Sequence, residues 1–269
     1  MTMTLIFKPD DHSYKCDTSI NWTSVTSVVS SYVQPFDSKA QAIKSSRNKR
    51  SKWYKMPVEE ILQAWEDELN RSLMLGNFYH NQRESDMLSF STMTKYGKEL
   101  KIIKSIINEE GYKVAPNQKL EDGIYPEHFV YLDSLGWCGQ ADLVEVHDGL
   151  LDIGDYKTSK EIKRKGYTNW EGISKKMLKP LHHLDDCEFN KYALQLSIYA
   201  FIILRHNPNL KLNKLVIQHV KFEEAEEKNK YGYPIHLLKD GKPIIKEIEY
   251  IELPYLRKEI QSIINEKLW

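Results

Sequence analysis

The dipeptide Asp148-Gly149 is the feature that most constrains how this chain folds. Asp-Gly between two apolar runs is the strongest short-range signal for a β-hairpin, because a type I′ turn needs positive φ at both central residues. The two runs are residues 141–146 and 150–153, which we predict to be antiparallel strands. A two-residue loop pairs His147 with Leu150, and the same register places Asp142 across from Asp155.

This hairpin brings charged groups onto one face. Alternation along the strands puts Asp142, Asp155 and Lys157 on that face. Two opposed carboxylates, about 5 Å apart at Cβ, repel each other unless a cation lies between them, and divalent cations favour carboxylate ligands. The alternatives are a solvent-exposed acidic face or a different register. A partly buried site is favoured over these, because unpaired charges are costly beside apolar neighbours, here Val144, Val146, Leu151 and Ile153.

A divalent ion beside a lysine suits phosphodiester hydrolysis. The ion polarises a phosphoryl oxygen and lowers the pKa of a bound water. The lysine orients or deprotonates that water and offsets the charge that develops on the phosphate. A metal site on this hairpin would therefore be compatible with phosphodiester hydrolysis.

Four short motifs follow one another along the chain: Gly76-Asn77-Phe78-Tyr79-His80, Gly139-Gln140-Ala141-Asp142, Asp155-Tyr156-Lys157-Thr158 and Gln195-Leu196-Ser197-Ile198-Tyr199. They resemble the Gly-x-x-x-His helix, the Gly-x-x-Asp strand, the Asp-x-Lys-Thr strand and the Gln-x-x-x-Tyr helix of the RecB-like exonuclease branch of the PD-(D/E)XK nuclease superfamily. Gly154 stands where that branch more often has an aliphatic residue. Each motif alone is common, but four in this order form a specific signal. The N-terminal stretch is similar to the opening of viral and mitochondrial-maintenance-type relatives.

The resemblance implies roles for individual residues. Asp142 and Asp155 would be carboxylate ligands, His80 an imidazole ligand, the carbonyl of Tyr156 a further ligand, and Lys157 the catalytic lysine. Mg²⁺ or Mn²⁺ is the implied cofactor, and the imidazole modestly favours Mn²⁺. No iron–sulfur cluster is expected, because the three cysteines lie far apart. Glu84 and Glu127 have an ambiguous claim on a metal, and residues 182–187, rich in His and Asp, are interpreted as a loop.

Nucleic-acid contacts are expected at three places. Gln195 and Tyr199, one helical turn apart, would contact the active-site strand or the nucleic acid. Two basic stretches offer phosphate contacts with aromatic rings for base stacking, and a solvated loop is the alternative for each. Their residues are Arg47, Lys49, Arg50 and Trp53 in the first, and Lys160, Lys163, Arg164 and Lys165 in the second. Beside the second, Tyr167 and Trp170 could stack on bases or merely anchor the loop.

The order of elements predicts an α/β fold with a mixed central β-sheet flanked by helices, and the resemblance specifies a restriction-endonuclease-like PD-(D/E)XK core. We expect a single domain over residues 1–269, with a mainly helical part at about 20–110 and the catalytic core at about 112–222. A hairpin is predicted around Pro9-Asp10-Asp11 and helices over 25–33, from Pro57, and over 190–204. Further strands are predicted at 129–131 and 215–222, and a helix over the apolar spacing that runs from Leu100 to Ile107.

The function predicted from the sequence is that of a metal-dependent DNA exonuclease in replication, recombination or repair, with a preference for single strands or DNA ends. The alternatives are a structure-specific or restriction-type endonuclease on the same fold and an inactive nucleic-acid-binding protein. No ATP-binding loop motif is present, so a helicase or recombination partner would be a separate protein. The net charge of +0 argues against wholesale electrostatic DNA binding.

The expected location is the cytoplasm. No apolar stretch approaches the roughly 20 residues of a membrane span, so no membrane partner is expected. An odd number of scattered cysteines is typical of a reducing compartment. The resemblance is greatest to phage-encoded members, which would place the protein in the cytoplasm of the host.

Overall fold

The protein is described by a computed structural model that covers residues 5–8, 13–16 and 19–267. The N-terminal hairpin is confirmed: β1 (Leu5–Lys8) pairs antiparallel with β2 (Ser13–Cys16). The turn predicted around Pro9-Asp10-Asp11 lies outside the described residues. Next come β3 (Thr23–Ser24) and α1 (Val25–Ser31), whose N-cap Ser24 accepts a hydrogen bond from the Ser27 amide.

Two longer helices follow. Helix α2 (Ser38–Arg47) begins at Asp37, whose carboxylate accepts from the Ala40 amide. Helix α3 (Val58–Leu88) begins after Pro57, as predicted, with Glu59 and Glu60 in its first turn. Proline at a helix start and acids near the positive end of the helix dipole explain this beginning. Helix α3 is 31 residues long and carries His80.

The helix predicted between Leu100 and Ile107 is wrong. The segment after α3 consists of short strands: β4 (Thr92–Lys95), β5 (Lys98–Lys101), β6 (Ile106–Ile107) and β7 (Lys113–Val114). Strand β6 pairs with β7, which pairs with β1, and Ile102 bridges to Ile124. Pairing with distant strands overrides the local spacing here, and isoleucine favours a pleated surface. The part at about 20–110 is therefore not purely helical.

The central part of the chain follows the predicted order. It comprises β8 (Gly123–Leu132), a 3₁₀ turn (Asp133–Leu135), β9 (Trp137–His147), β10 (Leu150–Lys157), α4 (Glu188–His206) and β11 (Lys211–Phe222). The remaining elements are β12 (Glu224–Lys228), β13 (Pro234–His236), β14 (Leu238–Lys239), β15 (Lys242–Pro243), β16 (Ile245–Leu253) and α5 (Arg257–Lys267).

A mixed six-stranded sheet forms the centre of the fold, as predicted. Its order is β16-β11-β10-β9-β3, and β8 pairs along β9. Strands β8, β9 and β10 are antiparallel neighbours, β10 and β11 run parallel with α4 between them in sequence, and β16 is antiparallel to β11. The sheet therefore extends past residue 222, the end predicted for the core.

Helices pack against both faces of this sheet. The largest core cluster joins one face of the sheet to α1, α4 and α5, with Val144, Ile153 and Leu196 at its centre. On the other face, Tyr79 of α3 packs with Tyr156 of β10 and Phe222 of β11. The strand ends that carry the charged residues therefore lie between α3 and α4. In the described part of the chain, no helix has both the length and the apolar character of a membrane span.

Candidate metal centre

The predicted hairpin register is confirmed over five pairs, from His147–Leu150 to Leu143–Gly154. Asp148 and Gly149 both have positive φ, 51° and 74°, as a type I′ turn requires. The ladder stops just before Asp142 and Asp155, however. Strands β9 and β10 separate at the position where the two acids were expected to pair.

The side chain of Asp142 lies in the space between the separated strands. Its Oδ2 accepts a hydrogen bond from the Tyr156 amide at 2.8 Å, so the side chain fills the place of a strand-to-strand bond. The carboxylate therefore lies between the two strands, which differs from the regular alternation that we predicted. From there it reaches His80 on α3, whose Nδ1 lies 3.3 Å from Asp142 Oδ2.

A third acid, Glu127, belongs to the same group. On β8 it lies between the pairs Pro126–Leu143 and His128–Ala141, directly beside Asp142 of β9. Its φ of 48° is in the left-handed region, which a residue other than glycine occupies at a cost of roughly 1–3 kcal/mol. Its Oε1 lies 3.9 Å from His80 Nδ1. One ligand atom from each of His80, Glu127 and Asp142 lies within 4.8 Å of the others.

The orientation of His80 is fixed by a backbone contact. Its Nε2 lies 3.0 Å from the carbonyl oxygen of Tyr156. A carbonyl can only accept, so Nε2 carries the proton of this bond and Nδ1 is the nitrogen that faces the carboxylates. Such a bond is the usual way in which a metal-binding imidazole is oriented. The Tyr156 carbonyl, predicted as a ligand, here serves as the acceptor that orients His80.

The electrostatics of the group show a shortage of positive charge. Burial and the charge of Asp155 raise the pKa of Asp142. Burial alone would lower the pKa of His80, but the nearby carboxylates of Glu127, Asp142 and Asp155 outweigh burial and raise it. Both shifts favour the protonated forms of these two groups.

Lys157 and Asp155 form a neighbouring ion pair. Lys157 Nζ lies 2.5 Å from Asp155 Oδ2 and 4.9 Å from the ring centre of Tyr192 on α4. Burial favours the neutral amine, but the carboxylates of Asp155 and Asp142 outweigh it and raise the pKa of Lys157. Asp155 is therefore held by Lys157, whereas Glu127 and Asp142 face His80.

The outer motif residues contact the inner ones. A methyl group on Gly139 would lie 2.9 Å from Cε1 of Tyr199, and one on Gly76 would lie 3.5 Å from Oγ1 of Thr158. Gln195 Nε2 donates to the Tyr199 hydroxyl at 3.4 Å. Tyr199 is 3% exposed, so it packs against the strand of Asp142 and offers no surface to a nucleic acid.

A cavity of about 610 Å³ opens beside these residues. His80, Glu127, Tyr156 and Lys157 line it, and Gln140 lies beside them. Within the described residues, the buried Nε2 of Gln140 has no hydrogen-bond partner. From the sequence, Glu127 had only an ambiguous claim on a metal and Gln140 had no assigned role. Only the pairing of β8 with β9 places Glu127 beside Asp142.

The other acid candidates are not members of the His80, Glu127 and Asp142 group, although Glu84 lines the same cavity. Glu84 Oε1 is paired with Lys113 Nζ at 3.0 Å. In the loop at 182–187, Asp185 accepts from Lys176 and Asp186 from Lys175, while His183 contacts Glu259. The interpretation of residues 182–187 as a loop rather than a metal cluster agrees with these contacts.

The two basic stretches differ in what they expose. Arg47, Lys49 and Arg50 are exposed, but Trp53 is 7% exposed and packs against Trp65, Tyr231 and Tyr233. The expectation that Trp53 is available for stacking is wrong, because its ring belongs to a small aromatic core. In the second stretch, Lys160, Lys163, Arg164 and Lys165 are all exposed.

The donor set fits a divalent cation. Carboxylate oxygens and one imidazole suit Mg²⁺ and, better, Mn²⁺. Burial and neighbouring carboxylates raise the pKa of Asp142, so a cation bound there would favour its charged form. His80, Glu127 and Asp142 are thus candidate ligands, with Asp155 adjacent.

No protein-family model, curated protein or solved structure matches this chain.

Proposed function

We propose that this protein is a metal-dependent deoxyribonuclease with a PD-(D/E)XK core, and that it acts as an exonuclease on DNA. The observation that carries the proposal is the convergence of His80, Glu127 and Asp142 within 4.8 Å beside the Lys157–Asp155 pair. These residues come from four separate elements, α3, β8, β9 and β10. Convergence of this donor set at one point is difficult to explain by packing alone, since buried acids are costly without a positive partner.

Contacts between the four motifs support the family assignment. Gly76 lies against Thr158, His80 bonds the Tyr156 carbonyl, and Tyr199 packs against Gly139. The order α3, β8, β9, β10, α4, β11, with three antiparallel strands and then a parallel one, is compatible with the expected core.

The chemistry follows from the donor set. A bound Mg²⁺ or Mn²⁺ would polarise a phosphoryl oxygen and make hydroxide accessible at neutral pH. His80, Glu127 and Asp142 would hold the ion, with Asp155 as the fourth candidate ligand. The Tyr156 carbonyl keeps Nδ1 of His80 directed at the site, and the Tyr156 amide keeps Asp142 in place.

Lys157 acts as a cation in this scheme. The raised pKa of its ammonium group favours the protonated form, which orients the attacking water and offsets negative charge on the phosphate in the transition state. Of the two roles considered for this lysine, orientation is therefore favoured over deprotonation of the water. Gln140 lines the same cavity.

The substrate would enter along the cavity and contact the exposed basic stretches. Lys160 follows directly after the catalytic strand, and Lys163, Arg164 and Lys165 continue it. Within the described residues these four cations form no ion pair with a protein acid, which leaves them available to phosphates. A cytoplasmic location and a separate helicase or recombination partner belong to the same proposal.

The test is cleavage of end-labelled single-stranded, double-stranded and closed circular DNA with Mg²⁺, Mn²⁺ or EDTA. We expect the wild type to degrade linear DNA only when Mg²⁺ or Mn²⁺ is present. Lys157→Ala should not cleave DNA, but calorimetry should show that it still binds Mn²⁺. Lys104→Ala, another lysine outside the site, is the matched control and should keep full activity.

Two results would contradict the proposal. Cleavage by Lys157→Ala at the wild-type rate would show that the site is wrongly assigned. Absence of both cleavage and Mn²⁺ binding in the wild type would remove the nuclease function altogether. Cleavage of closed circles would keep the site and change the assignment to an endonuclease.

A further inference from the structure

The loop between β10 and α4 contains a small projecting hairpin, residues 166–175, which we name the Trp170 hairpin. Thr168 and Ser174 form an antiparallel bridge, and the Lys175 amide donates to the Tyr167 carbonyl at 2.8 Å. Residues 169–172 form its tip, where Gly172 has a φ of 81°.

Hydrogen bonds make the tip and the base well defined. At the tip, the Asn169 side-chain oxygen accepts from the amides of Glu171 and Ile173, at 3.0 and 2.9 Å. At the base, Asp185 Oδ2 accepts from the Gly166 amide and the Ser174 hydroxyl. The backbone of the hairpin is therefore defined by hydrogen bonds at both its tip and its base.

This hairpin presents apolar side chains to solvent. Trp170 is 92% exposed, Tyr167 75% and Ile173 63%. These three large, exposed apolar side chains lie within seven residues of one short hairpin, so they are close together in the chain. The two aromatic residues do not anchor the loop, which was one of the two roles considered for them. Their rings are free to stack on a partner.

The base of the hairpin is connected to the candidate metal centre. The Phe189 amide on α4 donates to the Lys163 carbonyl at 3.0 Å, and the Arg164 guanidinium lies 4.5 Å from the Phe189 ring centre. One helical turn further along α4, Tyr192 contacts Lys157 and lines the metal-centre cavity. A ligand that runs from the cavity along the basic stretch would therefore pass towards the Trp170 hairpin.

Charge identifies the class of this ligand. Lys160, Lys163, Arg164 and Lys165 precede the hairpin, with Glu161 as the one acid among residues 160–165. Cations that follow a backbone together with exposed aromatic rings are the combination that binds single-stranded nucleic acids. In a duplex the bases are stacked on each other and offer no free face except at an end.

We propose that the Trp170 hairpin binds unpaired bases of single-stranded DNA by stacking on Trp170 and Tyr167, so that the substrate class is single-stranded DNA or a frayed DNA end. This proposal rests on the proposed function for the identity of the polymer. It concerns binding rather than cleavage, so it can fail or hold independently of the nuclease activity.

The experiment measures DNA binding by fluorescence anisotropy on protein carrying Lys157→Ala, with EDTA present, so that cleavage does not interfere. The probes are a labelled single strand, a blunt duplex of the same length and a single strand of abasic sites. Trp170→Ala and Tyr167→Ala are compared with Trp170→Phe, which retains a ring, and with Phe90→Ala. Phe90 is a matched control because it is also an exposed aromatic residue, after the C-terminal end of α3.

We expect Trp170→Ala to weaken single-strand binding on the order of ten-fold, with Trp170→Phe and Phe90→Ala close to the parent protein. Duplex and abasic binding should change less than about two-fold. A similar loss on the abasic strand would overturn the proposal, because the contact would then not involve bases. Unchanged single-strand binding by Trp170→Ala would also overturn the proposal. If sedimentation showed that Trp170→Ala converts a dimer to a monomer, the hairpin would be a contact between copies of the chain, and the proposal would likewise be overturned.

Discussion

Replacement of Gly139 by alanine tests the packing between the strand of Asp142 and helix α4. The new Cβ would lie 2.9 Å from Cε1 and 3.3 Å from the hydroxyl of Tyr199, and 3.4 Å from Cγ2 of Val25. Carbon atoms in contact are normally 3.5–4.0 Å apart, so the ring must move by about 0.5 Å. Tyr199 is buried and bonded to Gln195, so the ring has no free space in which to relax.

Overpacking of this kind costs about 1–3 kcal/mol, and the lower entropy of the unfolded alanine chain returns about 0.4–1 kcal/mol. We therefore expect Gly139→Ala to lower the free energy of unfolding by about 1–2 kcal/mol. For a chain of this size that lowers the Tm by roughly 2–8 °C. The assay is thermal unfolding followed by circular dichroism, in EDTA.

Two further variants separate the clash from other effects of the methyl group. Gly154→Ala on the neighbouring strand β10 would meet Leu143 Cβ at an ordinary 3.5 Å, and should change the Tm little. In a Tyr199→Ala background the clash is absent, so Gly139→Ala should become neutral or slightly stabilising. If Gly139→Ala is harmless in the wild type, or equally harmful in both backgrounds, the close contact with Tyr199 does not explain this glycine.

Three other substitutions test separate parts of the structure. Glu127→Gln removes a charge from the candidate metal centre but keeps its shape, so calorimetry should show Mn²⁺ binding weakened by ten-fold or more; unchanged affinity would exclude Glu127 as a ligand. Trp53→Ala should lower the free energy of unfolding in urea by about 3–5 kcal/mol. The control Tyr54→Ala should lower it less, because Tyr54 is 38% exposed against 7% for Trp53. Tyr96→Phe removes a hydroxyl that lies 2.6 Å from a Glu145 carboxylate oxygen and 2.7 Å from an Asp152 carboxylate oxygen. We expect the free energy of unfolding in urea to fall by about 1–3 kcal/mol. An unchanged free energy of unfolding would show that water replaces the hydroxyl.

The parts of the fold that the sequence predicted are those with strong local signals. Asp148-Gly149 fixes its own turn geometry, and that turn fixes the register of β9 and β10. Pro57 followed by two acids marks the beginning of α3, and the apolar run at 190–204 lies within α4. In these segments the local chemistry and the tertiary structure agree, which is what makes prediction possible.

The parts that were missed depend on distant partners. The spacing of Leu100 and Ile103 fits a helix, but Ile102 bridges to Ile124 of β8. Trp53 lies in a basic stretch, and only the approach of Tyr231 and Tyr233, far away in sequence, buries it. No local pattern reports such contacts, because each depends on where the rest of the chain is placed.

The same limit applies to the candidate metal centre. The hairpin and the motifs predicted Asp142, Asp155, Lys157 and His80 as neighbours. They did not predict that Asp155 pairs with Lys157 while Asp142 and Glu127 face His80. That division depends on the separation of β9 from β10 at Asp142 and on the left-handed φ of Glu127. Neither is a property of the local sequence.

An acidic group of this kind opposes folding unless a cation is bound, and Asp142→Asn tests this directly. Burial and Asp155 disfavour the charged form of Asp142, which is why its pKa is raised. Asparagine keeps an oxygen for the Tyr156 amide and removes the charge. We therefore expect Asp142→Asn to raise the Tm in EDTA, while the wild type alone gains stability from Mn²⁺, by about 2.7 kcal/mol at 100 times Kd. A variant that melts below the wild type in EDTA would show that the acids are already balanced by protein groups, and the case for a cation would lose its electrostatic support.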